Sequence, residues 1–170
     1  TLLQDGPNAY CQYPFFTKDA NGNIYFAWVT DDHLGPAFYR NIGFIVSRDL
    51  GVTWEKMDGT NLTLPIVADE TGSAEMISLI GDVLVNKFLS GWQYANERLH
   101  AVYWLDSSPN KQRYVRINPT TGAIEKTIDL IFGVNGNINS LDGAIIRSEV
   151  DRTNASPQPI YFISSIFADK

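Results

Sequence analysis

Ser47-Arg48-Asp49-Leu50-Gly51-Val52-Thr53-Trp54 is the most constrained stretch of the chain, with Ser, Asp, Gly, Thr and Trp at the spacing S-x-D-x-G-x-T-W. The β-rich run Gly43-Phe44-Ile45-Val46 leads into it, and the extended run Glu55-Lys56-Met57 follows. This pattern reads as a tight hairpin. Asp49 is expected to turn the chain and accept backbone N–H groups, while Gly51 takes a positive φ. Ser47 and Thr53 belong to the same turn, and Trp54 folds back to cover it.

Working outward, strands are expected at 10–16, 24–29 and 39–47, with a hairpin turn at Asp19-Ala20-Asn21-Gly22-Asn23 and a fourth short strand at 54–57. A polar loop over 30–36 holds His33. The pattern recurs at 82–90, 98–105, 112–118 and 123–129, and begins again at 142–150 and 159–165. No stretch shows helical periodicity. The fold class is therefore all-β. The four-stranded antiparallel meander is the unit of a β-propeller blade, giving one blade over 10–57, a second over 82–129 and part of a third over 142–170. Propellers close with about four to eight blades, so residues 1–170 are expected to form one partial propeller domain that needs further blades of the same protein. A β-sandwich of about ten strands gives the same local signals, but the uneven repeat spacing favours the propeller.

Composition narrows the function. Aromatic residues make up 12% of the chain, which suits strands and carbohydrate-stacking surfaces. The net charge of −6 argues against a nucleic-acid partner, because phosphate binding needs a basic surface. No apolar run is long enough to span a membrane. Cys11 is the one cysteine, so an internal disulfide and a Cys-based zinc cluster are excluded. No cofactor is expected; a structural metal stays open.

The segments Asn8-Ala9-Tyr10, Asp19-Ala20-Asn21-Gly22-Asn23-Ile24-Tyr25-Phe26-Ala27-Trp28, the 47–54 hairpin, Asp58-Gly59 and Leu64-Pro65-Ile66 together resemble one branch of the Asp-box (BNR repeat) propellers. That branch is the BNR-4 type, which includes ulvan lyases. The resemblance is close over 8–66 and general over 82–118. It implies a secreted, extracellular or periplasmic, polysaccharide-active enzyme that cleaves an acidic, uronate-containing glycan by β-elimination. A sialidase-like glycoside hydrolase and a non-catalytic glycan- or protein-binding propeller are the alternatives.

Elimination from a uronic acid needs a group to neutralise the carboxylate, a base for the C5 proton and an acid for the leaving oxygen. The resemblance carries a catalytic role to Tyr10, as acid or base. His33, flanked by Asp31 and Asp32, is the second catalytic candidate. Asn8, Arg40 and Asn41 are candidates for binding the substrate's acidic group, and Trp92 and Tyr94, read as lying in a loop, for stacking on its sugar rings. Ser47, Asp49, Gly51, Thr53 and Trp54 are expected to be structural. No metal site is expected, since adjacent side chains such as Asp31, Asp32 and His33 do not converge on one ion. His100 is read as a structural strand residue.

Overall fold

The run Ile24-Tyr25-Phe26-Ala27-Trp28-Val29 is apolar on both alternating faces, which suits a strand covered from both sides. In the computed structural model, which describes residues 1–6, 10–31, 39–67, 75–76, 87–105, 111–130, 145–147 and 161–163, it is the second strand of a four-stranded sheet. The strands in chain order are β1 (Leu3–Gln4), β2 (Tyr10–Lys18), β3 (Ile24–Asp31), β4 (Tyr39–Ser47), β5 (Ile66–Val67), β6 (Glu75–Met76), β7 (Lys87–Ala95), β8 (Arg98–Leu105), β9 (Lys111–Ile117), β10 (Ile124–Leu130), β11 (Ile145–Arg147) and β12 (Tyr161–Ile163). Every regular element among the described residues is a strand. The all-β expectation holds, and among the described residues no helix is long and apolar enough to cross a membrane.

Two antiparallel sheets carry the fold, ordered β2-β3-β4-β6 and β10-β9-β8-β7; β11 pairs with β12. The inward row of the first sheet includes Tyr25, Ala27, Val29, Ile42, Phe44 and Val46. It packs against Leu99, Ala101, Tyr103, Leu105, Val115 and Ile117 of the second. The opposite row, Phe26, Trp28 and Ile45, is covered by Trp54, Ile66, Leu2 and Leu3. That cover depends on a short parallel pair, β1 with β5.

The hairpin at 47–53 is built as its residue types dictate. Asp49 accepts the Thr53 N–H at 2.8 and 3.0 Å and the Thr53 hydroxyl at 2.6 Å. Ser47 donates its hydroxyl to Asp49 at 2.8 Å and accepts the Gly51 N–H at 2.7 Å. These donors favour the carboxylate, led by the Thr53 hydroxyl, and hold Asp49 down at about 2. Leu50 and Gly51 both take the left-handed conformation, at φ 62° and 92°. Trp54 is buried beneath the turn.

The expected strand at 54–57 is a correction. Only Glu55 pairs there, exchanging both backbone bonds with Val46 at 2.9 and 3.0 Å. The chain then turns back through Gly59, whose N–H donates to Lys56 O, so pairing cannot continue. Trp54 goes to one face of the sheet and Met57 to the other. The fourth strand is instead Glu75–Met76, paired with β4 at Phe44 and Gly43.

In the second sheet His100 is buried on β8. Its Nε2–H donates to Ala95 O at 3.0 Å, which leaves Nδ1 to accept the Tyr114 hydroxyl at 2.8 Å. Burial, with smaller contributions from Arg116 and Arg98, lowers its pKa below 6.5. Below that value the unfolded chain takes up a proton that the folded chain refuses, so stability is full above it and declines as pH falls. Thermal melting is expected to drop between neutral pH and pH about 5, with a shallower slope for His100→Gln. An unchanged slope in that variant would remove His100 as a source of the effect.

Cys11 is half-buried on β2, with its thiol against Gln4 O at 3.8 Å and its N–H bonded to Asp5 at 2.9 Å. Burial, then the Asp5 carboxylate, pushes the thiol up to about 12.

Candidate functional site

The two ends of the sheets differ. The turns at 19–23, 47–53, 96–97 and 118–122 all lie at one end, as the registers Ile24↔Ser47 and Leu99↔Ile117 require. Each uses local chemistry. Asp19 accepts the Asn21 and Asn23 N–H groups at 2.9 Å, Asn118 Oδ1 accepts those of Thr120 and Thr121, and Asn96 and Glu97 sit at φ 48° and 58°. The opposite end gathers the start of β2 at Tyr10, the end of β3 at Asp31 and the start of β4 at Tyr39, all in register. Beside them β7 begins at Lys87.

Two irregularities shape this open end. Between Gln12 and Phe15 the β2 register slips, so Tyr13 and Pro14 together oppose Trp28. Pro14 has no N–H to give a ladder, which makes a bulge the natural solution. Tyr13 takes φ 52° there. Between Thr30 and Asp31 the pairing with β4 also slips, leaving Arg40 as the extra residue. As a result Tyr10, Gln12, Tyr13, Asp31 and Tyr39 come together beside β7. Gln12 Nε2 donates to Asp31 Oδ2 at 2.9 Å, and Asp31 is only 2% exposed. The Tyr39 ring lies 4.5 Å from that of Phe88 and 5.9 Å from that of Tyr13; Phe88 in turn is 4.9 Å from Trp104.

The electrostatics keep the Tyr39 phenol neutral. Burial, then the hydrogen-bonded Tyr13 phenol and the Asp31 carboxylate, raise the Tyr39 pKa above the ordinary phenol value. Tyr39 is thus held protonated, as a donor. Tyr10 and Tyr13 are 47% and 44% exposed at the same rim. Chemically, the rim can stack a flat, apolar face and hydrogen-bond the hydroxyls around it.

Of the residues singled out from sequence, Tyr10 lies at this rim. Asn8 and His33 fall outside the described residues, and so does the side chain of Arg40, whose backbone belongs to β4. Asn41 is buried opposite Thr30, and alternation from Ile42 in the inter-sheet core turns it to the far face. Trp92 and Tyr94, expected in a loop as sugar-stacking groups, belong instead to β7 and the packing between sheets. The Trp92 indole N–H donates to Tyr25 O at 3.1 Å, its ring meets Phe44 at 5.7 Å, and 6% of it is exposed. Tyr94 stacks on Tyr25 at 5.4 Å, and its N–H bonds Thr17 at 3.0 Å near the turn end. Gln12, Tyr13, Tyr39 and Phe88 were missed. The one local signal for them was a proline inside a strand. Among the described residues no group of three or more His, Cys, Asp or Glu is placed to hold a metal.

No curated protein matches the sequence at a significant level. Among solved structures, one described as a polysaccharide lyase, PL25 ulvan lyase, superposes with a TM-score of 0.52 at 14% identity. The match covers 71% of this chain and 30% of that one. A second, described as the PL25 ulvan lyase bound to -[GlcA(1-4)Rha3S]-, gives 0.50 at 16% identity, over 69% of this chain and 29% of the other. The chain therefore spans about three-tenths of the length of these proteins, and at such identities the likeness is one of fold. A family profile described as "BNR repeat-containing family member" matches residues 2–127. Since that match runs from before β1 into β10, the chain belongs to the BNR repeat-containing family.

Proposed function

We propose that the two four-stranded sheets are neighbouring blades of a β-propeller, completed by further blades of the same protein. We further propose that this propeller is a secreted lyase-like enzyme acting on an acidic, uronate-containing polysaccharide. The observation that carries the reading is the rim itself: phenols of Tyr10, Tyr13 and Tyr39 and the Asp31 carboxylate meet at the open end of the first sheet. The likeness in fold to ulvan lyases, one of them described with a glucuronate-containing saccharide bound, supports the choice of substrate class.

In the proposed reaction the substrate carboxylate is neutralised by hydrogen bonds or a cation, the role given to Asn8 and Arg40. A base takes the C5 proton, the electron pair forms the C4–C5 double bond, and the C4–O bond breaks. The departing oxygen then receives a proton. Tyr10 and His33 share the acid and base roles. Tyr39, held protonated, orients groups by donating.

The test is to incubate the full-length protein with ulvan and other uronate-containing glycans and follow the ultraviolet absorbance of the unsaturated product. Absorbance is expected to rise, and Tyr10→Phe to lower kcat by about 100-fold or more. Full activity in Tyr10→Phe would take Tyr10 out of the mechanism. New reducing ends without the absorbance would replace elimination by hydrolysis, and retention of glycan without either signal would make the protein a binding module.

A further inference from the structure

We propose that Tyr13 is the floor of a pyranose-binding subsite at the open end of the sheets. This rests on the glycan-active reading above and adds a residue and a mode of contact to it. Four non-glycine residues among those described have positive φ: Tyr13, Leu50, Asn96 and Glu97. The last three lie in tight turns, where the left-handed conformation closes the hairpin. Tyr13 alone stands inside a strand, and a bulky side chain is a costly choice at φ 52°. Asparagine or glycine would satisfy the bulge at lower cost.

The ring's surroundings show what it is presented for. Phe88 meets it edge-on, 6.2 Å away at 69°, and Tyr39 meets it tilted, 5.9 Å away at 58°. Neither neighbour stacks on its face, and 44% of the residue is exposed. The two contacts hold the ring without a parallel stack from either of them, and nearly half of the residue remains accessible to solvent. Phe16, exposed at the turn end, differs in this respect, lying flat on Phe26 at 4.4 Å and 17°. The Tyr39 ring, with its phenol, lies beside it, and the same stretch of β2 carries Tyr10 and Gln12, whose amide is fixed on Asp31. A pyranose has matching chemistry, with a patch of C–H groups on its flat face and hydroxyls at its edge. A flat aromatic with fixed polar neighbours binds such a ring at low conformational cost.

The test measures binding of an oligosaccharide prepared from ulvan to the full-length protein by titration calorimetry, with melting temperature as the control for folding. Tyr13→Ala and Tyr13→Asn are expected to bind about tenfold or more weakly, the asparagine variant keeping its melting temperature because it tolerates positive φ. Tyr13→Phe, which keeps the face, is expected to bind within about threefold of the unaltered protein. Undiminished binding by the alanine and asparagine variants overturns the subsite and leaves the functional reading standing. Loss of binding that merely follows a fall in melting temperature in both variants overturns it in favour of packing. Failure of the unaltered protein to bind overturns the functional reading and the subsite with it.

Discussion

Trp92→Ala is expected to destabilise the fold by about 3–5 kcal/mol, the usual cost of removing a large buried aromatic. For a domain of this size that is a fall in melting temperature of about 6–20 °C. Two losses add. The cavity would open between the sheets, where the ring meets Phe44 and where Tyr25, Ala27 and Leu99 belong to the same core. The Tyr25 carbonyl would also lose the indole N–H that it accepts at 3.1 Å. Trp92→Phe separates the two, since it fills most of the cavity and removes only the donor, at an expected cost of about 1–3 kcal/mol. Denaturant unfolding of both variants measures each cost. A Trp92→Ala protein of nearly unaltered stability that no longer retained glycan would return Trp92 to the role of a sugar platform.

Gly43→Ala is expected to cost about 1–3 kcal/mol, and more if the neighbouring ring cannot move. It would add a single methyl group. Gly43 pairs directly with Trp28 across the β3–β4 ladder, and a Cβ there would lie 2.7 Å from Trp28 Cζ2 and 2.9 Å from Cε2. The indole has little room to retreat. It is 2% exposed and packs against Phe26 at 5.2 Å. If this clash is the cause, the penalty should fall by more than half in a Trp28→Phe background, where the outer part of the indole is gone. An equal penalty in both backgrounds would place the strain in the backbone instead.

The parts of the fold that were legible in the sequence are those decided within a few residues. Asp19, Asp49 and Asn118 each bind N–H groups two to four positions ahead, so the turn signals sufficed. β4 and β8 begin and end where apolar runs meet turn residues, at 39–47 and 98–105, as expected. The fourth strand of the first sheet was misplaced because Trp54 and Met57 look like strand residues. Their burial comes from wrapping opposite faces of the sheet, not from a ladder. β1 and β5, two residues each, are too short to show any period. The site was less legible still. Tyr13, Tyr39 and Phe88 come from three strands, and only the packing of β7 against the first sheet brings them together. Trp92 and Tyr94 were read as loop residues, yet they lie in β7 just past the register shift between Leu89 and Gly91.

The half-buried thiol of Cys11 has a practical side. Burial and the Asp5 carboxylate push its pKa well above the ordinary thiol value, which disfavours the thiolate, the reactive form, at neutral pH. For thiol-directed chemistry the chain is thus close to a cysteine-free background. Val52 projects from the tip of the hairpin at the end away from the rim, 75% exposed, so a cysteine introduced there is the group an alkylating reagent finds first. A fluorophore or surface tether attached at that point would leave the rim facing outward.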